Sequence, residues 1–116
     1  MNVKRLDKII KQFWKNERYN DIYYLGLCSE MSVALKRFLG AGTLYKRGIL
    51  HTVLKYKNHY CEVRGCMNQR QLLSTAPGEY LRPASNKEIA HIYNLLKEYR
   101  VKQIVKGLKK AERQIK

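Results

Sequence analysis

The sequence predicts an α+β fold: N-terminal helices, one opened by Cys28, pack on a small antiparallel sheet, and a basic helix lies at the C-terminal end. Three observations predict it. Val3, Leu6, Ile9, Ile10, Phe13 and Trp14 recur at the steps of one helical face, and Met31, Ala34, Leu35 and Phe38 do so again after Cys28. Ile49 to Tyr56 and Tyr60 to Val63 are two runs of β-formers parted by a short polar turn. Ser85 to Glu88 is a capping box ahead of a further periodic apolar run.

In chain order, the first helix is expected from Val3 to about Arg18, with Lys4, Lys8, Lys11 and Lys15 off its apolar side and Trp14 in the core. Tyr19 to Gly26 is an irregular, Tyr-rich approach to the second helix. That helix starts at Cys28 and stops at Gly40, with Lys36 and Arg37 near the end that favours cations. Gly40 to Gly48 holds a turn and a short strand at Thr43 to Tyr45; its glycine spacing fits no phosphate-binding loop. Lys57 and Asn58 form a two-residue hairpin turn, with Asn58 tolerating positive φ. Leu72 and Leu73 belong to a brief strand or a helical turn, Pro77 and Gly78 to a turn, and Arg82 and Pro83 to extended chain. The helix from about Asn86 carries Ile89, Ile92, Leu95, Leu96 and Tyr99, with His91 facing solvent. The apolar pattern continues or restarts through Val101, Ile104, Val105 and Leu108. From Lys97 to Lys116 the dense Lys and Arg fit either a packed basic helix or a frayed tail. The expectation is one domain over residues 1–116, with a core at about 20–83 and a C-terminal helical segment at about 86–116.

Three of these residues make a chemical constellation. At the start of a helix, unpaired N–H groups and the positive dipole end favour a thiolate at Cys28. With a two-residue turn, Tyr56 faces His59, Val53 faces Glu62 and His51 faces Arg64. His51 and Glu62 are then diagonal neighbours on one face of the sheet, about 7 Å apart at the backbone. A three-residue turn would send Glu62 to the opposite face. Cys28, His51 and Glu62 suit a thiol nucleophile, its base and the group that orients the base.

A helix-opening Cys, a His at the start of a strand and an acid eleven residues further on resemble the papain-like and transglutaminase-like cysteine enzymes. The segments Leu50 to Leu54 and Tyr60 to Gly65 are similar to those of small phage and bacterial members, and the resemblance covers about Tyr23 to Gly65. It implies a papain-like core, with Cys28 as nucleophile, His51 as general base and Glu62 as orienting acid. It also implies a peptide or amide substrate. The chain departs from the pattern twice. Glu62 stands where Asp or Asn is usual. In place of a Gln before the Cys, the nearest is Gln12, sixteen residues back, which leaves Tyr23 or Tyr24 as the stand-in oxyanion donor.

Lys and Arg number 24 against 9 Asp and Glu, a net charge of +15. Such a surface predicts an acidic partner: nucleic acid, an acidic protein or an anionic membrane face. A second expectation follows, a catalytically inactive basic protein on the same scaffold. It would dock on nucleic acid or an acidic protein, as a phage-type inhibitor of a host system would. No named nucleic-acid module is recognisable. No apolar run is long enough to span a membrane and residues 1–4 lack a signal-peptide core, so the expected location is the cytoplasm, of a host cell if the protein is phage-encoded. Three cysteines, an odd number, predict no disulfide framework. Metal ligands would have to come from scattered elements, so no metal and no cofactor is expected. The oligomeric state is not legible.

Overall fold

The computed structural model describes residues 1–17, 28–48, 51–75, 78 and 80–115. The expected Tyr-rich approach at Tyr19 to Gly26, with Tyr23 and Tyr24, lies outside the described residues. So do Ile49, Leu50 and Pro77.

Asn2 opens α1 (Val3–Glu17): its side-chain oxygen accepts the Arg5 N–H at 2.7 Å, as a helix cap should. Leu6, Ile9, Ile10 and Phe13 are buried along its apolar stripe, while Trp14, expected in the core, is only partly buried against it. The second described helix, α2 (Cys28–Leu39), ends as expected at Gly40, which takes φ 68° and donates to the Lys36 carbonyl at 2.8 Å. Five strands follow: β1 (Thr43–Arg47), β2 (His51–Tyr56), β3 (His59–Glu62), β4 (Gly65–Met67) and, after the short helix α3 (Gln69–Ser74), β5 (Leu81–Pro83). They form one antiparallel sheet in the order β4-β3-β2-β1-β5. The chain closes with α4 (Asn86–Leu95) and α5 (Glu98–Gln114).

The β2–β3 turn is the two-residue one that the site reading required. Lys57 and Asn58 take φ of 47° and 62°, and Tyr56 pairs with His59. Lys55 pairs with Tyr60, so the two share a face. Alternation then puts His51 with Val53 and Lys55, and Glu62 with Tyr60, all on that face. The opposite face presents Leu44, Leu54, Tyr56 and Cys61 to a core completed by α1, α2 and α5. A smaller cluster of Val53, Tyr60 and Leu72 sits under α3.

Several expectations are corrected. Cys61 and Cys66, expected to be free, form a disulfide. They are direct partners across β3 and β4, a closeness that counting cysteines could not reveal because the odd one, Cys28, belongs elsewhere. β1 runs two residues beyond Tyr45, to Arg47. The open choice at Leu72 and Leu73 resolves to helix: Asn68 and Gln71 make a capping box at the start of α3. The apolar run after Ser85 breaks where Leu96 leaves helical geometry, at ψ 151°. This break changes the helical phase, so Leu95 and Tyr99 end up 64% and 63% exposed while Ile92 is buried. The basic C-terminal stretch packs: Val101, Ile104, Leu108 and Ala111 of α5 are fully buried. Among the described residues no helix is long and apolar enough to cross a membrane.

Candidate active site at the end of the sheet

Cys28 and His51 are brought together by their neighbours. The apolar side of α2, through Met31, Ala34 and Leu35, docks on the helical face of the sheet. Its first turn is then tied to the start of β2. The Ser32 hydroxyl lies 2.8 Å from the Cys28 carbonyl and 3.1 Å from the Thr52 carbonyl, and donates between them. The Ser29 and Thr52 hydroxyls are 3.2 Å apart, and the buried Lys46 ammonium donates to Thr52 at 3.3 Å. The residue after Cys28 thus touches the residue after His51.

Glu62 ends β3, on the same side of the sheet as His51. Its carboxylate accepts from both Nε and NH2 of Arg64, at 2.5 and 3.1 Å, and from the Arg64 backbone N–H at 3.3 Å. Among the described residues no hydrogen bond yet joins Glu62 to His51, which is exposed.

These three expected site residues line one pocket of about 240 Å³ with Met31, Arg47, Val63 and Arg64. β1 ends, β2 starts and β3 ends at the same edge, so the pocket opens off the end of the sheet rather than from one face. Cys28, Met31 and Val63 reach it from the helical side. Arg47, His51 and Glu62 reach it from the other.

Other titratable groups are placed elsewhere. Glu30, two residues after Cys28, is buried near the start of α5. Burial pushes its pKa up, while the Arg100 guanidinium and the Lys97 backbone N–H pull it back. The His59 ring lies 3.1 Å from the Lys57 carbonyl, and His91 is exposed as expected. The proposed oxyanion donors Tyr23 and Tyr24 lie outside the described residues.

Sequence reasoning missed Arg47, treating it as part of a glycine-rich break. No local signal marked it: Leu44-Tyr45-Lys46-Arg47 shows no apolar–polar alternation, and Arg47 stands across from His51 only because β1 pairs with β2. The chain matches no protein-family model, no curated protein and no solved structure.

Proposed function

We propose that the chain is a cysteine-dependent acyl-transfer enzyme of the peptidase, amidase or deamidase type. The observation that carries this reading is the shared pocket: a thiol on α2, an imidazole on β2 and a carboxylate on β3 line the same 240 Å³ of space.

In this reading Cys28 Sγ attacks the substrate carbonyl carbon and its proton passes to His51. The N–H groups of the first turn of α2, which have no partner within the helix, face the oxyanion that forms. As the tetrahedral intermediate collapses, His51 returns the proton to the leaving amine. Water then cleaves the thioester, again with His51 as base. Glu62 orients the imidazole. A carboxylate offers about four lone-pair sites, so Arg64 can hold it in place while one oxygen still accepts from a His51 N–H.

The test uses iodoacetamide near neutral pH. Cys28 is the one cysteine outside the disulfide, so the label reports on it alone. Cys28 is expected to react at least about tenfold faster in the folded protein than in the urea-unfolded chain, with His51→Ala removing most of the gain. A folded protein whose thiol reacts no faster than the unfolded one would sink this reading.

A second reading, a basic binding protein, is favoured by a groove of about 310 Å³ between α2 and α5, lined by Arg37, Lys102, Lys106 and Lys109. Such a groove suits the phosphates of nucleic acid.

A further inference from the structure

Exposed aromatic rings stand beside the start of the groove between α2 and α5. Tyr99, in the first turn of α5, is 63% exposed. Lys102, Lys106 and Lys110 follow it by three, seven and eleven positions, so all three lie on its side of the helix. At 1.5 Å per residue this stripe runs about 16 Å along the axis. Lys102, Lys106, Lys109 and Lys110 are exposed, and among the described residues none of them is held in a salt bridge. The two acids of α5 oppose them little: Glu98 is bound to Arg37, and Glu112 is half-buried. Tyr93, near the end of α4, is 46% exposed. It lies close to Arg37, whose pKa is raised by Glu98 first and by Tyr93 in smaller part.

Ammonium groups in a row suit a row of phosphates, and an open ring suits the flat face of a base. In a duplex each base face is already covered by its neighbours, so the tyrosines would gain nothing there. Only unpaired bases can be splayed onto an aromatic side chain. An anionic membrane fits this face less well. A helix lying on lipid turns an apolar side to it, whereas Val101, Ile104 and Leu108 of α5 are spent in the core. Beyond Tyr99 the exposed side of α5 is polar: Lys102, Gln103, Lys106, Lys109 and Lys110.

We infer that this face of α5 binds a single-stranded nucleic acid, with the lysines pairing successive phosphates and Tyr99 and Tyr93 stacking on unpaired bases. The inference rests on the basic-binder reading and chooses its polymer, one strand rather than two.

The experiment measures fluorescence anisotropy of a labelled strand of about 15 nucleotides, within the span that such sites cover. The strand is offered alone, annealed to its complement, and as an abasic chain with the same phosphates, all at about 0.1 M salt. The single strand is expected to bind at least about fivefold more tightly than the duplex and than the abasic chain. Tyr99→Ala should weaken the single strand by about tenfold and leave the abasic chain within twofold, because the lost contact is to a base. Tyr99→Phe keeps the ring but not the hydroxyl that accepts from Arg100, and should bind as the native protein does. Tyr99 is exposed, so neither variant disturbs the core. Duplex binding as tight as single-strand binding overturns the inference, and so does an unchanged affinity in Tyr99→Ala. Those outcomes leave the basic-binder reading standing if affinity still falls with salt. Binding to phosphatidylserine vesicles with no binding to any of the three oligonucleotides overturns both, in favour of a membrane surface.

Discussion

At Gly65 the backbone passes through φ 126°, a region open to glycine and closed to most side chains. Little space surrounds it: a Cβ there would overlap Asp7 Oδ1, the atom that accepts the Cys66 N–H at 2.8 Å. One aspartate on α1 thus satisfies the strand β4 and leaves no room for a methyl group beside it. Gly65→Ala is expected to cost roughly 2–3 kcal/mol, from backbone strain and the displaced aspartate together. Thermal unfolding should show this as a fall in Tm of about 10 °C. In an Asp7→Ala background the added cost of Gly65→Ala should shrink, because only the backbone part remains; an undiminished cost would remove the steric half of the account.

Among the elements, α4 depends on its first turn. Ser85 caps it, accepting the Glu88 N–H at 3.1 Å, and Glu88 accepts the Ser85 N–H at 2.9 Å in return. Glu88 also takes a two-pronged contact from Arg82 on β5, at 2.5 and 2.7 Å, which straps the helix start to the edge strand. The Arg82 guanidinium, with the Ser85 N–H, holds the Glu88 carboxyl down at about 2. A depressed carboxyl stabilises the fold above its unfolded pKa, about 4.3, and the stabilisation is lost as pH falls through the folded value. The Tm difference between the native protein and Glu88→Gln should therefore be level from pH 7 to about pH 5. It should then shrink between about pH 4.5 and pH 2. A difference that stays constant across that window would show that the contact is not charge-dependent.

For the whole molecule, a net charge of +15 on 116 residues sets the terms of association. Part of that charge is spent internally: Arg37 is bound to Glu98 and Lys11 to Asp7. Lys102, Lys106 and Lys109 fall on one side of α5 at helical steps, beside the α2–α5 groove. If the basic-binder reading holds, affinity for a non-specific duplex should fall by at least about a hundredfold between 50 and 200 mM salt. Replacing the three lysines with alanine should lower the slope of log affinity against log salt by about 2 to 3. Affinity indifferent to salt would exclude phosphate-backbone binding and leave the charge to other partners.

What the sequence by itself determined is local. The apolar stripes of α1 and α2, the stop at Gly40, the capping box at Ser85 and the turn at Lys57 and Asn58 each depend on residues a few positions apart. The turn length also put Glu62 on the His51 side of the sheet, because side chains alternate with a period of two. Strand order and helix docking were decided only by the tertiary structure. Arg47 stands beside His51 because β1 pairs with β2, and Cys66 meets Cys61 because β4 folds back on β3. The first turn of α2 reaches the start of β2 because a shared core holds them in place, with Ser29, Ser32 and Thr52 closing the gap. Contacts of that kind join residues far apart along the chain. No local pattern encodes them, since they follow from the joint burial of apolar faces that each element presents separately.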